Sequence, residues 1–88
     1  MNENEIEAVA AILVRWNPLG EEAKNIADLD GYRTEAIDII SVLAFLGARA
    51  IPEKVVADVL NQGFGLTLKA QGCVAPAQQI LSVLNLKP

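Results

Sequence analysis

Apolar residues recur at helical intervals in four stretches of the chain, and sustained alternation of the kind a sheet requires is absent. Ile6, Val9, Ala10, Leu13 and Trp16 mark the inward stripe of a first helix, which Ala8, Ile12 and Val14 widen. Asn2 or Asn4 supplies its cap, and Glu3, Glu5 and Glu7 sit where the helix dipole favours negative charge. Pro18 ends the helix, because the residue before a proline is driven out of the helical region, and Leu19-Gly20 completes a turn. Glu21, Glu22, Ala23, Lys24 and Ile26 allow one or two helical turns near residues 21–26. Asp28, Asp30 and Gly31 read as a loop.

A second helix is predicted from about Tyr32 to Gly47, with Asp30 or Tyr32 as its cap and Glu35 and Asp38 near its positive end. From Val42 to Leu46 this helix is apolar on every side, the pattern of a helix buried all round. Ile51-Pro52 opens a third helix, with proline at the first helical position. Val55, Val56, Val59 and Leu60 form its inward face, Glu53, Lys54, Asp58, Asn61 and Gln62 face water, and Gly63 ends it. Leu66-Thr67-Leu68 alternates as a short extended piece, Gly72-Cys73-Val74 is a loop, and Pro76 starts a last helix spaced by Ala77, Ile80, Leu81 and Leu84. The predicted fold is all-α: one domain over residues 1–88, a compact bundle of four main helices with an optional short extra helix.

Composition changes this picture in one respect. The chain is 52% apolar, too much for a disordered polymer. It is also more than a chain of this length encloses comfortably, since small domains bury only about 60% of their unfolded surface. A homo-oligomer is therefore expected, a dimer first, formed through the apolar faces of the first two helices. Ile12, Val42, Phe45 and Leu46 are its candidate interface. Cys73 is the lone cysteine and histidine is absent, so neither an internal disulfide nor a His-ligated metal is available. The net charge of −4 is uneven. Residues 1–38 hold nine acids against three bases, and residues 39–88 hold two acids against four bases. An acidic chain is repelled by phosphate backbones, which argues against nucleic acid and for a basic protein partner. The acidic start is no signal peptide, and the longest apolar run, Ile39 to Ala48, is well short of the ~20 residues of a membrane span. A cytoplasmic location is expected.

Three short motifs carry a resemblance. Trp16-Asn17-Pro18-Leu19 follows the first helix, Tyr32 precedes Glu35 by three residues with Ile39 beyond, and the third helix closes on Phe64-Gly65. Over roughly residues 5–66 this arrangement resembles the DUF1871 family of small bacterial proteins of unknown function. The family pattern places Asp-Pro after the first helix, Tyr-x-x-Glu before the second and Phe-Gly after the third. Asn17 departs from the acidic residue of that pattern, and the tail from Ala70 has no counterpart in it. The resemblance implies an α-helical fold and a link, at most, to interaction or immunity-type proteins; it supplies no activity.

Candidate chemistry is sparse. Asp28-Leu29-Asp30-Gly31 looks like part of a calcium loop, but Ile26 and Ile37 stand where two further oxygen ligands belong. Cys73 has no base to activate it and reads as a structural thiol, while Ser41, Ser82 and Thr67 are isolated among apolar residues. Glu35 and Asp38 share a helix face, where the dipole alone explains two carboxylates. Trp16, Asn17, Tyr32 and Glu35 are the candidate pocket for a small molecule. Against that reading, Trp16 plugs the end of an aliphatic core and Tyr32 keeps its hydroxyl wet. No catalytic residue, cofactor or metal is expected. Three functions follow from these readings. The first is a self-associating, non-catalytic protein-interaction domain. The second is an acidic immunity- or antitoxin-like protein whose Glu3, Glu7, Glu21 and Glu22 mask a basic partner. The third is a small-molecule-binding domain with Glu35 perturbed in a concave site.

Overall fold

Local signals set the ends of each helix in the computed structural model, which describes residues 2–26 and 29–84. Helix α1 spans Glu3–Trp16. The Asn2 side chain caps it by accepting from the Glu5 backbone N–H at 2.8 Å. At its far end Asn17 adopts a left-handed conformation (φ 51°, ψ 65°) and donates its N–H to the Leu13 carbonyl at 2.7 Å. Pro18 thus stops the helix as expected, through the left-handed geometry that asparagine tolerates rather than through an extended one. Ile6, Val9, Ile12 and Leu13 are buried, whereas Val14 is half exposed. The buried stripe is therefore rotated towards Ile12 and away from Val14. Ile12, expected at an interface, belongs to the core.

A short 3₁₀ helix follows at Gly20–Asn25, one residue ahead of the optional helical stretch at 21–26. Asp30, Gly31 and Tyr32 then form a left-handed turn, with φ of 46°, 60° and 62°, and lead into α2 at Arg33–Leu46. Tyr32, one of the two expected caps, takes the N-cap position of α2, in left-handed geometry and without a side-chain hydrogen bond to the helix. Left-handed geometry costs a non-glycine residue roughly 1–2 kcal/mol. Burial of the Tyr32 ring, 2% exposed, offsets that cost.

Gly47, at φ 58°, closes α2 and starts a 3₁₀ turn through Arg49. Helix α3 runs over Pro52–Phe64 with proline in its first turn. It passes through Gly63, which was expected to end it. The left-handed cap lies at Gly65, whose N–H and that of Leu66 both reach the Asn61 carbonyl. Asn61 does not face water as its polarity suggested. Its side chain accepts from the Leu68 N–H at 2.8 Å and donates to the Leu68 carbonyl at 3.0 Å. This clamp fixes the segment after α3, where Leu66 and Leu68 are half-buried and Thr67 is exposed without any strand pairing. A 3₁₀ turn at Ala70–Cys73 then runs directly into α4, Val74–Leu84. The expected loop at 72–74 is helical, and Pro76 lies inside the first turn, where an amide donor has no partner to lose.

The helices pack as a ring: α1 on α2, α2 on α3, α3 on α4, and α4 back on α1. The centre is aliphatic, with Val9, Leu13, Ile39, Val56, Leu60 and Ile80 all shut off from solvent. Each such side chain contributes about 1.5–3 kcal/mol through burial. Cys73 joins this core, and burial pushes its thiol above the ordinary range. On the surface Arg33 at the start of α2 grips both carboxylate oxygens of Glu3 at the start of α1, with Nη2 2.6 Å from Oε1. No helix among the described residues is long and apolar enough to cross a membrane.

Candidate functional site

The four candidate pocket residues separate into two places. Asn17 and Tyr32 form a latch between the end of α1 and the start of α2, with Trp16 half-buried against the core beside them. The Tyr32 hydroxyl is not wet. It donates to Asn17 Oδ1 at 3.0 Å and accepts from the buried Leu19 N–H at 3.3 Å. The Tyr32 ring meets Phe64 edge-on, with centroids 6.1 Å apart, and burial raises the hydroxyl pKa above its ordinary value. Asn17 also donates its amide to the Gly20 carbonyl at 3.2 Å. Its side chain is committed at both ends, so this cluster joins elements rather than lining a concavity.

Glu35 lies elsewhere. In the first turn of α2, it faces α3 across a groove of about 360 Å³ lined by Asp38, Ser41 and Val42 on one side and Val59, Gln62 and Gly63 on the other. Its Oε1 atom is buried and has no hydrogen-bond partner. Burial raises its carboxyl above the ordinary range, and the nearby Asp38 charge adds to the effect. Across the groove, a Cβ at Gly63 would stand 3.9 Å from Glu35 Oε2, an ordinary contact distance.

The groove continues between α2 and α3 into a second concavity of about 410 Å³, which shares Val42, Val59 and Gln62 with the first. Leu46, Ile51 and Val55 supply its apolar lining, and Arg49, Lys54 and Asp58 its charge. Val42 is 37% exposed, Ile51 53% and Phe45 82%, while Leu46 is half-buried. Phe45 stands one turn beyond Val42 on α2, on the same side of the helix. The greasy segment of α2 is therefore not enclosed by its own chain. The sequence pattern pointed to Val42 and Phe45. It did not point to Ile51, Arg49, Lys54 or Gln62, which reach this face only because α3 folds back along α2. Ile51-Pro52 was legible as a helix start, with no sign that its isoleucine would stay in water.

Among the described residues Glu3, Glu7 and Asp30 lie around Arg33. Arg33 engages Glu3 and holds its carboxyl below the ordinary range, and Glu22 accepts from the Asn25 side chain at 3.2 Å. Asp28, part of the candidate calcium loop, lies outside the described residues. Among the described residues no three acidic or thiol groups come together as a metal site requires. No family model, curated protein or solved structure matches the chain.

Proposed function

We propose that this protein is a non-catalytic interaction domain that self-associates through the face formed by α2 and α3. The supporting observation is Phe45, 82% exposed and one turn beyond Val42, which lines an apolar groove together with the exposed Ile51. A phenyl ring of that size left in water forgoes about 2 kcal/mol of burial that a partner surface recovers. Contiguous apolar surface rimmed by charge is the usual mark of a protein interface. α1, the other helix expected to contribute, has turned most of its apolar residues inward, which concentrates the interface on α2. Size-exclusion chromatography with light scattering tests the proposal. The wild-type chain is expected to run as a dimer at high micromolar concentration, and Phe45→Glu as a monomer with an unchanged helical spectrum. A wild-type chain that stays monomeric throughout refutes it.

Glu35 favours a second reading, a site for a small cationic ligand at the Glu35–Asp38 end of the groove. Its unpartnered oxygen and raised pKa are features of binding sites. Titration calorimetry with small amines and guanidines tests it, and heats no larger than dilution rule it out.

A further inference from the structure

The α2–α3 groove is electrically polarised. Glu35 and Asp38 occupy one end and Arg49 and Lys54 the other, with Asp58 one turn along α3 from Lys54, towards the middle. Val42 sits midway in sequence, seven residues after Glu35 and seven before Arg49. At about 1.5 Å per residue, Glu35 lies roughly 10 Å from Val42 along α2, and Arg49 lies on the other side of Val42, in the turn just beyond the end of the helix.

We infer that the second copy docks antiparallel about a two-fold axis near Val42, so that Arg49 of each copy pairs with Glu35 of the other. This deepens the self-association proposed above and rests on it. A closed two-fold brings the same patch of both chains together, so the patch must complement itself. Polarised in this way, the groove does so in the antiparallel sense and opposes itself in the parallel sense, where acids would meet acids. Val42 then falls near the axis with Val59, Asp58 and Gln62 facing it from α3, and Phe45 lies about 4.5 Å along the helix from it. A standard interface buries about 800 Å² per partner, which here is roughly 15% of the 5480 Å² surface. The second copy also supplies what Glu35 lacks. A guanidinium entering past Gly63 meets Oε2 first, and rotation about the soft terminal torsion of Glu35 presents the unpartnered Oε1 as well. An Asp or Glu at position 49 would place like charges together twice per dimer.

Charge-swap variants in sedimentation equilibrium test the arrangement, with circular dichroism confirming that each folds. R49E and E35R alone are each expected to weaken the dimer about tenfold or more, since like charges are then opposed twice. The double variant E35R/R49E, and an equimolar mixture of the two single variants, are expected to recover most of the wild-type affinity. Position 49 is exposed, so R49E leaves the fold intact. Should E35R fail to fold, E35Q in the R49E background removes the repulsion and is expected to restore part of the loss. A wild-type dimer that R49E leaves unchanged, or that neither E35R/R49E nor E35Q/R49E recovers, overturns the antiparallel pairing and leaves self-association standing. A wild-type monomer overturns both.

Discussion

Tyr32→Phe removes one oxygen from the latch between α1 and α2, and its effect can be worked from the contacts. The hydroxyl serves two groups, Asn17 Oδ1 at 3.0 Å and the Leu19 N–H at 3.3 Å. Asn17 is exposed, so water replaces the lost donor at little cost. Leu19 is buried, and its amide is left without an acceptor. An unsatisfied buried donor costs about 1–3 kcal/mol. The 3.3 Å distance marks a weak bond, so a loss near 1–2 kcal/mol is expected. The phenyl ring keeps its packing on Phe64, which limits the change to hydrogen bonding. For a domain of this size each kcal/mol lowers Tm by about 4–8 °C. Urea unfolding followed by circular dichroism gives the value, with protein concentration held fixed because association adds to stability. A double-mutant cycle with Asn17→Gly, which suits the left-handed backbone, isolates the coupling across the latch, expected near 0.5–1.5 kcal/mol. A Tyr32→Phe change below about 0.3 kcal/mol, with no coupling in the cycle, would refute the latch.

Asp30→Gly relieves a left-handed residue and is expected to stabilise the chain by about 0.5–1 kcal/mol in the same assay, despite glycine's greater freedom when unfolded. Asn61→Ala opens the clamp on Leu68 and is expected to cost about 1–3 kcal/mol, with faster amide exchange over residues 65–69. Glu35 ties stability to pH. Its folded carboxyl binds a proton more tightly than the unfolded one, so its stabilising contribution is full below about pH 4.3 and is lost as pH rises through the folded value. Asp38 shares its helix face, Tyr32 lies near it, and Gln62 and Gly63 across the groove carry no charge. Measured in the monomeric Phe45→Glu background, Glu35→Gln is expected to raise Tm at neutral pH and flatten that slope; a lower Tm at neutral pH would contradict the assignment.

Much of the fold was legible because its signals are local. Asn2, Pro18, Gly47 and Pro52 act on the backbone within a turn of themselves, so three helices start or stop where these residues dictate. The failures have local causes too. Gly63 and Gly65 both qualify as caps, and the helix continues to the second, where the Asn61 carbonyl accepts from Gly65 and Leu66 and the Asn61 side chain clamps Leu68. Pro76 signals a helix start but tolerates any place in the first turn, so it could not fix the start at Val74. The wide apolar stripe of α1 left its orientation open by about one residue, enough to exchange Ile12 for Val14. The candidate site was legible only in halves. Tyr32 and Glu35 are three residues apart and should share a helix face, but Tyr32 lies in the left-handed turn before α2 begins. Its side chain points into the latch while that of Glu35 faces the groove. No motif announced that turn, because Asp30-Gly31 reads simply as loop and Tyr32 as the start of the helix.

Whether two copies meet through α2 and α3 is the question on which the functional account stands. Sedimentation equilibrium of the wild-type chain from low to high micromolar concentration answers it most directly. A mass rising from 9.4 kDa towards twice that value, and held at 9.4 kDa by Phe45→Glu, is the expected result. A wild-type mass of 9.4 kDa at every concentration would contradict it.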